Sequence, residues 1–586
     1  MLRLVMIKGS FASHRMCKTT IRGGAILTVI FLLSPPLETS AGVSVWAAGS
    51  TEKIQDRNRS QLPHDAVWNA QSGTISIDGV RGERVAFHVV LTVENEDCRD
   101  VTLRASELRD GDNVLAAGRV RFFYEHLAKI YAPSGRHGKR GFWPDALVPM
   151  TQPLRINAAP LHYGLRKRNQ PIWVELTVPR DQEPGRYRGA VTVSSAGKEL
   201  GSVKIELKVW DITLPEERKY PVNIGLWENH IARVHGVKLD SSEFKRTFRR
   251  YLEFFLDQGF DPRTNPGLSG RLEKGKYVLK CQDPELEKLF LDRGRRRFFI
   301  SPAPMGIPRP PRGKAFSSTY KAHVQEHCRQ VIAHARKRGW YDRLIFHVPV
   351  DEPKSARDYQ AARHWSEAIR PVDARVGLAV TEQPKPENPA WGSLVGHLNA
   401  WITHGNYVYL DPESILERKR AGDHVIWYIS CDQLYPQPNV FIDREAADMR
   451  MISWLTARYK LGGFLYWTAT YWREVRDPWM DAAGWKSSNC NSPASGEGSL
   501  IYPGHLVREY TGQDNVEGPV GSLRLALLRD GFEELELLQV LRDLGGAEEA
   551  DKIVGSICRD LRDFSRDPNA IDKARDRVIQ GILKRK

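Results

Sequence analysis

Cysteine is scarce in this chain, and long apolar segments are absent from most of it. Only 7 of the 586 residues are cysteine, and none forms a C-x-x-C pair, which excludes a zinc ribbon or a dithiol redox motif. The six cysteines after residue 41 lie far apart; one or two disulfides can form, but their pairing stays open. No apolar segment after residue 41 reaches the roughly 20 residues that a membrane-spanning helix needs, so we expect no stable membrane insertion.

Positive charge is in excess, but no long basic tail carries it. The 86 Lys and Arg residues against 71 Asp and Glu residues give a net charge of +15. Much of the excess lies in short clusters such as residues 293–297, and no nucleic-acid-binding motif accompanies it, so we expect no nucleic-acid partner. A solvated surface is the simplest interpretation of this charge, and attraction to an acidic glycan is the alternative.

Residues 1–41 have the pattern of a signal peptide. A basic stretch that ends at Arg22 precedes the apolar run 25–33, and small residues such as Ser40 and Ala41 follow. The apolar run is too short to cross a bilayer. We therefore expect a secreted or periplasmic protein.

The pattern of the rest of the chain changes near residue 215, which predicts a multidomain protein. Residues 42–64 are expected to be a linker, and residues 65–215 to be an all-β sandwich. Short alternating runs with turn signals between them support the sandwich; they are 74–77, 85–93, 173–178, 190–194 and 203–209. Residues 216–485 are expected to form an α/β barrel, and residues 486–586 a C-terminal helical extension that packs on it.

Apolar strands alternate with amphipathic helices across the predicted barrel. Seven strands are clear, at 222–227, 297–301, 344–350, 376–381, 397–403, 424–430 and 463–468, and a weaker one lies at 260–265. Eight such units over about 250 residues are typical of a TIM-type (β/α)8 barrel. A doubly wound sheet is the alternative, but no Gly-rich phosphate loop follows any of these strands.

The sharpest local signal for chemistry is LIFHVPVDEP, residues 344–353, in which two acids appear where an apolar strand ends. Functional residues of TIM barrels lie at such strand ends. Neighbouring side chains of a strand point to opposite faces, so Asp351 and Glu352 can share a cleft only if the backbone leaves the strand there. Pro353 favours that departure. The alternative is a simple turn in which Asp351 caps the next helix.

The adjacency of the two acids also limits the mechanism. Carboxylates with Trp and Tyr residues at neighbouring strand ends are what sugar hydrolysis needs, and conventional glycosidases place two carboxylates roughly 5–9 Å apart across the scissile bond. Two neighbours on one strand fit a substrate-assisted reaction better. In it, Glu352 is the general acid/base, and Asp351 holds the N–H of a substrate 2-acetamido group whose carbonyl oxygen attacks the anomeric carbon.

Several segments resemble glycoside hydrolase family 123. They are Asp351-Glu352-Pro353, residues 169–173 (NQPIW), Pro438-Asn439 with Ile442-Asp443, residues 500–504 (LIYPG), and residues 522–525 with 529–531. The resemblance covers most of the chain after residue 65, in the same order. It implies a β-sandwich before a TIM barrel, exo-acting β-N-acetylgalactosaminidase activity and the substrate-assisted mechanism. The family's Gly-Asp-Gly segment reads Gly496-Glu497-Gly498 here, which is a mild departure.

Aromatic residues near strand ends are the candidate sugar-binding groups. Carbohydrate sites stack pyranose rings on aromatic faces, and these candidates are Trp401, Trp427, Trp467 and Trp472, with His404 and Tyr428 as hydrogen-bonding partners. The alternative for the tryptophans is a place in the core. Arg524, Arg529 and Asp530 fit a structural ion-pair set that anchors the tail helix.

The segment 323–327 (HVQEH) matches a zinc-peptidase pattern, but its helix precedes the catalytic strand and lies on the outer ring of a barrel. We interpret its histidines as surface residues and expect no metal or other cofactor.

The expected function is therefore an exported, retaining exo-β-N-acetylgalactosaminidase that acts on an amino-sugar glycan, which the charge allows to be acidic. A conventional glycosidase, with Glu352 as acid/base and a nucleophile such as Asp432 or Glu474, is the second hypothesis. The third is a catalytically silent glycan-binding protein on the same scaffold. The sequence leaves the oligomeric state open.

Overall fold

The computed structural model describes residues 42–57, 67–94, 97–157, 167–239, 241–473, 477–480 and 493–586. The expected signal peptide at 1–41 and the candidate nucleophile Glu474 lie outside these residues. The described part of the chain contains an N-terminal β-rich domain, an eight-stranded parallel barrel with helices around it, and C-terminal helices.

Two sheets form the β-rich domain, as the sequence predicted. Its strands are β1 (Val43–Gly49), β2 (Trp68–Asn69), β3 (Thr74–Arg81), β4 (Arg84–Glu94), β5 (Cys98–Ala105), β6 (Leu108–Asp110), β7 (Asn113–Leu115), β8 (Val120–Ile130), β9 (Gly141–Pro149), β10 (Leu154–Ile156), β11 (Lys167–Thr177), β12 (Gly185–Ser195) and β13 (Lys198–Thr213). One sheet has the order β1-β4-β11-β8-β9, and the other has the order β10-β5-β12-β13-β3-β2 with β6 and β7 beside β12. Apolar residues that alternate along these strands, such as Val89, Val174 and Val191, form the core between the sheets.

The structure differs from the linker expected at residues 42–64, because the first part of this segment is a strand. Residues Val43–Gly49 form β1, which pairs antiparallel with β4 along its whole length, from Val43 opposite Val93 to Gly49 opposite Phe87. Trp46, Ala47 and Ala48 are buried. The β-rich domain therefore begins well before residue 65, because this apolar segment completes the edge of a sheet.

The barrel has all eight predicted strands. The strands of this region, including a hairpin formed by the third and fourth, are β14 (Val222–Gly225), β15 (Asp261–Arg263), β16 (Leu268–Glu273), β17 (Lys276–Cys281), β18 (Phe298–Ile300), β19 (Leu344–Asp351), β20 (Gly377–Thr381), β21 (Ala400–His404), β22 (His424–Ile429) and β23 (Phe464–Tyr466). The parallel order is β15-β14-β23-β22-β21-β20-β19-β18. The weak strand expected at 260–265 is thus β15.

The barrel is nearly closed, and side chains bridge its one gap. Strands β15 and β18 share no ladder. Instead, the Arg295 guanidinium donates to the backbone oxygen of Thr264 at 2.9 Å, and the backbone N–H of Arg296 donates to Asp261 at 3.2 Å. The weakness of the β15 pattern in the sequence matches its position at this gap.

Helices surround the barrel, and their apolar stripes face it. They are α1 (Glu228–Val234), α2 (Ser242–Asp257), α3 (Pro284–Asp292), α4 (Ser318–Arg338), α5 (Ala356–Ile369), α6 (Gly405–Leu410), α7 (Pro412–Arg420) and α8 (Ala446–Arg458). Helix α2 shows the local logic. The Ser241 hydroxyl caps it by accepting from the N–H of Phe244, and Phe244, Phe248, Tyr251 and Phe255 are buried on one face.

The C-terminal residues pack on the barrel and on the β-rich domain. They form β24 (Ile501–Pro503), α9 (Val507–Thr511), β25 (Pro519–Gly521), α10 (Leu523–Leu541), α11 (Ala547–Ile557) and α12 (Pro568–Leu583). Arg524 of α10 is fully buried and forms a two-pronged ion pair with Asp145 of β9, both bonds being 2.7 Å. Arg529 pairs with Glu175 of β11 at 2.9 Å. The expected structural ion pairs therefore join the tail helix to the β-rich domain.

Two further expectations concern membranes and cysteines. None of the helices in the described ranges is long and apolar enough to cross a bilayer. Cys431 is disulfide-bonded, whereas Cys98, Cys281, Cys328 and Cys558 are free.

Candidate active site

The two adjacent acids lie at the carboxyl end of β19. Along this strand, Leu344, Phe346, Val348 and Val350 pack in the core shared with the helices, whereas Ile345 faces the barrel interior. The same alternation directs Asp351 inward. Glu352 would then point outward, but its backbone has a φ of +42°, in the left-handed region that residues other than glycine rarely adopt. Both carboxylates consequently line one cleft.

A tyrosine from the opposite side of the cleft holds the Glu352 carboxylate. The Tyr428 hydroxyl, at the end of β22, donates a 2.5 Å hydrogen bond to Glu352 Oε1. Lys354 Nζ lies 3.3 Å from Oε2 and is largely exposed. Tyr428 is buried, and burial together with the Glu352 charge raises the pKa of its phenol well above its ordinary value. The phenol therefore remains a hydrogen-bond donor to Glu352 at any working pH.

A basic group lies below Asp351 in the barrel. The Arg263 guanidinium, at the end of β15, interacts electrostatically with Asp351, and burial lowers the pKa of the guanidinium. Arg263 also contacts His347 Nδ1 at 3.2 Å, and His347 Nε2 contacts the Thr381 hydroxyl at 3.1 Å. Burial and the Arg263 charge lower the pKa of His347 well below its ordinary value. His347 is thus neutral, and Arg263 supplies a positive charge close to Asp351.

Asp432 is held in a network on the β21 and β22 side of the cleft. Its Oδ1 accepts from the Ser430 hydroxyl at 2.5 Å and lies 3.0 Å from His404 Nε2, while its Oδ2 accepts from the Asn406 amide at 3.1 Å. Burial alone would raise the pKa of this carboxyl, but the interactions with His404 and Ser430 outweigh it and lower the pKa of Asp432 to about 2. Asp432 is therefore ionised, with both oxygens already bonded.

Two other acids of the cleft are buried. Burial raises the pKa of Glu382 to about 8, although Tyr359 donates to its Oε1 at 3.0 Å. Burial raises the pKa of Glu497 to about 7, although the Trp467 indole donates to its Oε1 at 2.6 Å and the Tyr466 hydroxyl to its Oε2 at 3.1 Å. At neutral pH Glu382 is mostly protonated, and Glu497 is close to half protonated.

Glu497 is the residue that departs from the family's Gly-Asp-Gly. The flanking Gly496 and Gly498 have φ values of +83° and +67°. A side chain on Gly498 would also meet the Trp467 ring at 2.5 Å. The tight turn therefore requires both glycines and presents the central acid to Trp467, which itself lines the cleft.

The cleft has a volume of about 980 Å³ and gathers five of the eight expected site residues. Asp351, Glu352, His404, Tyr428 and Trp467 line it. Sequence reasoning did not single out Arg263, His347 or Glu497 as site residues. Arg263 could have been identified from its place in the sequence, since it is the last residue of the weak strand β15.

The prediction that Trp401, Trp427 and Trp472 bind the sugar is wrong, because none of them reaches the cleft. Each is buried, and each indole N–H is bonded away from it: Trp401 to Asp423 at 2.9 Å, Trp427 to Thr456 at 2.8 Å, and Trp472 to Ser499 at 3.1 Å. Trp401 and Trp427 occupy the outward positions of their strands, between the barrel and the helices. Ile402 and Tyr428, their neighbours, face inward.

The segment 323–327 also differs from its interpretation as surface histidines. His327 is buried in α4, where its Nδ1 contacts the Tyr277 hydroxyl at 2.9 Å and its Nε2 contacts the backbone oxygen of Ser301 at 3.0 Å. Burial lowers the pKa of this imidazole. Both ring nitrogens are occupied, so His327 is a structural residue.

Comparisons with known proteins agree with this architecture. The family model for the glycoside hydrolase 123 catalytic domain matches residues 311–541, and the model for the glycoside hydrolase 123 N-terminal domain matches residues 58–195. A family 123 glycoside hydrolase from Clostridium perfringens, described in terms of glycolipid glycan hydrolysis, has a similar structure. Its TM-score is 0.68 at 14% identity over 93% of this chain and 98% of that one.

Two further solved structures have much lower similarity to this chain. A GH5 xyloglucanase from Bacteroides ovatus gives a TM-score of 0.30 at 12% identity, over 79% of this chain and 99% of that one. A family 39 glycoside hydrolase from Bacteroides cellulosilyticus gives 0.32 at 11% identity, over 78% and 81%. No curated protein sequence matches the chain. The two family models and the shared fold show that this chain belongs to glycoside hydrolase family 123 and is a glycoside hydrolase.

Proposed function

We propose that this enzyme is an exported, retaining exo-β-N-acetylgalactosaminidase in which the substrate's own 2-acetamido group is the nucleophile. The observation that carries the proposal is the placement of two sequence neighbours, Asp351 and Glu352, in one cleft, through the left-handed backbone at Glu352. Paired acids on one strand end suit a reaction that needs one proton-transfer group and one amide-orienting group.

The reaction then proceeds in two steps. Glu352 protonates the glycosidic oxygen while the acetamido oxygen attacks the anomeric carbon, and Asp351 accepts a hydrogen bond from the acetamido N–H. The leaving group departs and an oxazolinium ion remains, whose N–H still donates to Asp351. Glu352, now a carboxylate, takes a proton from water as the water attacks the anomeric carbon and opens the oxazolinium ring, which restores the acetamido group. Two displacements at one carbon retain its configuration.

The states of the other acids in the cleft support this assignment. An enzyme nucleophile must be ionised. Burial keeps Glu382 mostly protonated near pH 7, and Glu497 is buried behind Trp467 and Tyr466. Neither is therefore a good nucleophile.

The conventional mechanism is favoured by the state and position of Asp432. Asp432 is ionised and lines the same cleft as Glu352. However, Ser430, His404 and Asn406 already bond to its oxygens. A role in holding sugar hydroxyls, together with His404, fits these contacts better.

Substrate identity and export rest on separate support. The family resemblance favours N-acetylgalactosamine, and the similar Clostridium perfringens enzyme is described in terms of glycolipid glycan hydrolysis. The signal-like residues 1–41 favour secretion or export to the periplasm. The disulfide of Cys431 also suits an oxidising compartment.

The test compares two aryl glycosides and two variants. The enzyme should cleave an aryl 2-acetamido-2-deoxy-β-galactoside but not the 2-hydroxy galactoside, and a thiazoline that mimics the oxazoline should inhibit it. Asp351→Asn and Glu352→Gln should each lose most activity. Cleavage of the 2-hydroxy substrate, thiazoline resistance and dependence on Asp432 would favour the conventional mechanism. Binding without turnover would favour a silent glycan-binding protein.

A further inference from the structure

A cluster of three metal-ligating side chains lies outside the active-site cleft. It consists of Cys281 at the end of β17, Glu287 of α3 and His334 of α4. Their ligand atoms, a thiol sulfur, a carboxylate oxygen and an imidazole nitrogen, all lie within 4.8 Å of one another. The three residues come from three different elements, so tertiary packing alone brings them together.

The distances within the cluster suit a single small cation. His334 Nε2 lies 2.7 Å from Glu287 Oε1, and Cys281 Sγ lies 4.0 Å from Glu287 Oε2. Around a tetrahedral Zn²⁺ ion, whose bonds are about 2.0–2.3 Å long, neighbouring ligand atoms lie about 3.5 Å apart. Small rotations of the three side chains would therefore bring all three ligand atoms to bonding distance of one ion.

The chemistry of the ligand atoms indicates the kind of metal. A set of one thiolate, one imidazole and one carboxylate suits Zn²⁺, whereas Mg²⁺ and Ca²⁺ prefer oxygen ligands alone. The thiol gives up its proton when it binds the ion. Cys281 and His334 are half-buried, so an ion can reach them from solvent, and water can fill the fourth position of the tetrahedron.

The Glu287 carboxylate is already oriented as a ligand. It is buried, and the Trp340 indole donates to its Oε1 at 2.8 Å. Such a second bond fixes the direction of a ligating carboxylate. Arg338 Nε donates to Oε2 at 2.9 Å, but the Arg338 side chain is 40% exposed. This guanidinium can turn into water when a metal cation takes its place, whereas Trp340 keeps its bond.

The cluster lies beside the one gap in the barrel. Strands β15 and β18 share no ladder, and the connection between them consists of β16, β17 and α3. Gln330 of α4 holds this connection: its Oε1 accepts from the N–H of Leu279 at 2.7 Å, and its Nε2 donates to the backbone oxygen of Tyr277 at 2.8 Å. A metal ion bound by His334 would add a second link between the connection and α4.

We propose that Cys281, Glu287 and His334 form a zinc site that fastens the connection between β15 and β18 to α4. The role of the site is structural, since none of its residues lines the cleft, and it is independent of the proposed glycosidase function. This inference departs from the expectation that the chain binds no metal, because the three residues come from separate segments and form no sequence motif.

Isothermal titration calorimetry of the untagged, metal-free enzyme with Zn²⁺ tests the proposal. The wild type should bind one equivalent of Zn²⁺ that an equal concentration of Ca²⁺ or Mg²⁺ does not displace. Cys281→Ser and His334→Gln should each weaken this binding at least about tenfold, the smallest loss expected even for an outer-shell partner of a metal. Both substitutions leave the bonds of Glu287 to Trp340 and Arg338 in place.

The reactivity of the Cys281 thiol gives a second measurement that needs no variant. Cys281 is half-buried, whereas the free thiols of Cys98, Cys328 and Cys558 are buried, so alkylation of the native enzyme should reach Cys281 first. Zn²⁺ at about a hundredfold excess over its Kd should slow this alkylation at least about tenfold and raise the Tm by a few degrees. Peptide mass spectrometry identifies the labelled cysteine.

A matched control removes a histidine that contacts a glutamate elsewhere. His364 of α5 lies 3.3 Å from Glu367 and is not part of the cluster. His364→Gln should bind Zn²⁺ as the wild type does. Circular dichroism shows that each variant is folded.

Several outcomes would overturn the proposal. They are no Zn²⁺ binding by the wild type, wild-type affinity in Cys281→Ser or His334→Gln, displacement by Ca²⁺ or Mg²⁺, and an unchanged rate of Cys281 alkylation under saturating Zn²⁺. Cleavage of the aryl glycoside should be the same with and without Zn²⁺. Failure of the zinc site thus leaves the glycosidase intact, and failure to cleave the glycoside leaves the zinc site intact.

Discussion

The Tyr428 hydroxyl donates a 2.5 Å hydrogen bond to Oε1 of Glu352, across the cleft from the strand that carries the acid. Glu352 adopts a left-handed backbone conformation, so a loop alone would position its side chain poorly. The bond from β22 fixes one carboxylate oxygen. In the proposed mechanism, Oε2, which the largely exposed Lys354 contacts, is then the oxygen that exchanges a proton with the substrate.

Tyr428→Phe should lower kcat by about 10- to 100-fold, because a hydrogen bond to a charged group contributes roughly 1.5–3 kcal/mol. The KM should change much less, since the phenol acts on the proton-transfer group. Steady-state kinetics on the aryl glycoside measure both. Tyr341→Phe is the control: Tyr341 also donates to a carboxylate, that of Asp373 at 2.8 Å, but outside the cleft. A larger effect on KM than on kcat would contradict the role given to Tyr428.

Substitutions of Trp467 and Trp401 should have different effects, because Trp467 lines the cleft and Trp401 lies in the core. Trp467→Ala should raise KM several-fold, because the ring lines the cleft and aromatic stacking contributes about 0.5–1.5 kcal/mol beyond its buried area. Trp401→Ala should lower the free energy of unfolding by about 3–5 kcal/mol, as expected for a buried tryptophan. Kinetics and urea unfolding of both variants check this. A marginal stability loss in Trp401→Ala together with a raised KM would return Trp401 to the site.

Glu382 should make stability depend on pH. Its ordinary pKa of 4.5 applies to the unfolded chain, and burial raises the folded value to about 8. Between these values the folded state binds the extra proton, so the contribution of Glu382 to stability falls as pH rises from about 5 to 8. Glu382→Gln cannot titrate, and the fall in unfolding free energy from pH 5 to pH 8 should be smaller in this variant. Exposed Glu243, on α2, provides the control variant Glu243→Gln, and equal slopes in both variants would refute the assignment.

Loss of one member of the buried Arg524–Asp145 ion pair should lower the free energy of unfolding more than loss of both members. Arg524→Met leaves a buried carboxylate without its partner and should cost about 3–5 kcal/mol of unfolding free energy. The double variant Arg524→Met/Asp145→Leu should recover much of that loss, because neither member of the pair is then left as an unpaired buried charge. Denaturant unfolding measures all three proteins. A double variant less stable than Arg524→Met would show that the individual contacts of Asp145, including the 2.5 Å bond from Tyr502, matter more than the charge balance.

Much of the architecture could be predicted, because the spacing of apolar residues along the chain indicates the strands and helices. The eight barrel strands follow from apolar runs such as 344–350, and even the weak β15 was expected at 260–265. The Ser241 cap and the apolar stripe of α2 are local patterns. The edge strand β1 was missed because it is a single short segment whose partner, β4, lies about 40 residues later.

The site was harder to predict, because a residue near a strand end enters the cleft only if its side chain points into the barrel. Proximity to a strand end suggested Trp401 and Trp427, but the alternation of side chains turns both toward the helices and turns Tyr428 inward. The positive φ of Glu352 is not encoded by any glycine or asparagine, so the sequence could only suggest a departure from the strand through Pro353. Glu497 comes from a turn far along the chain, and tertiary packing alone brings it against Trp467.

The most direct test of the central claim is a series of aryl 2-acylamido galactosides in which the acetyl group carries zero to three fluorine atoms. Fluorine withdraws electrons from the amide oxygen and weakens it as a nucleophile without changing the leaving group. If the acetamido group is the nucleophile, with Asp351 and Glu352 in the roles assigned here, log kcat/KM should fall steeply and linearly with fluorine content. A flat series would contradict the account, because an enzyme carboxylate such as Asp432 would then attack the anomeric carbon.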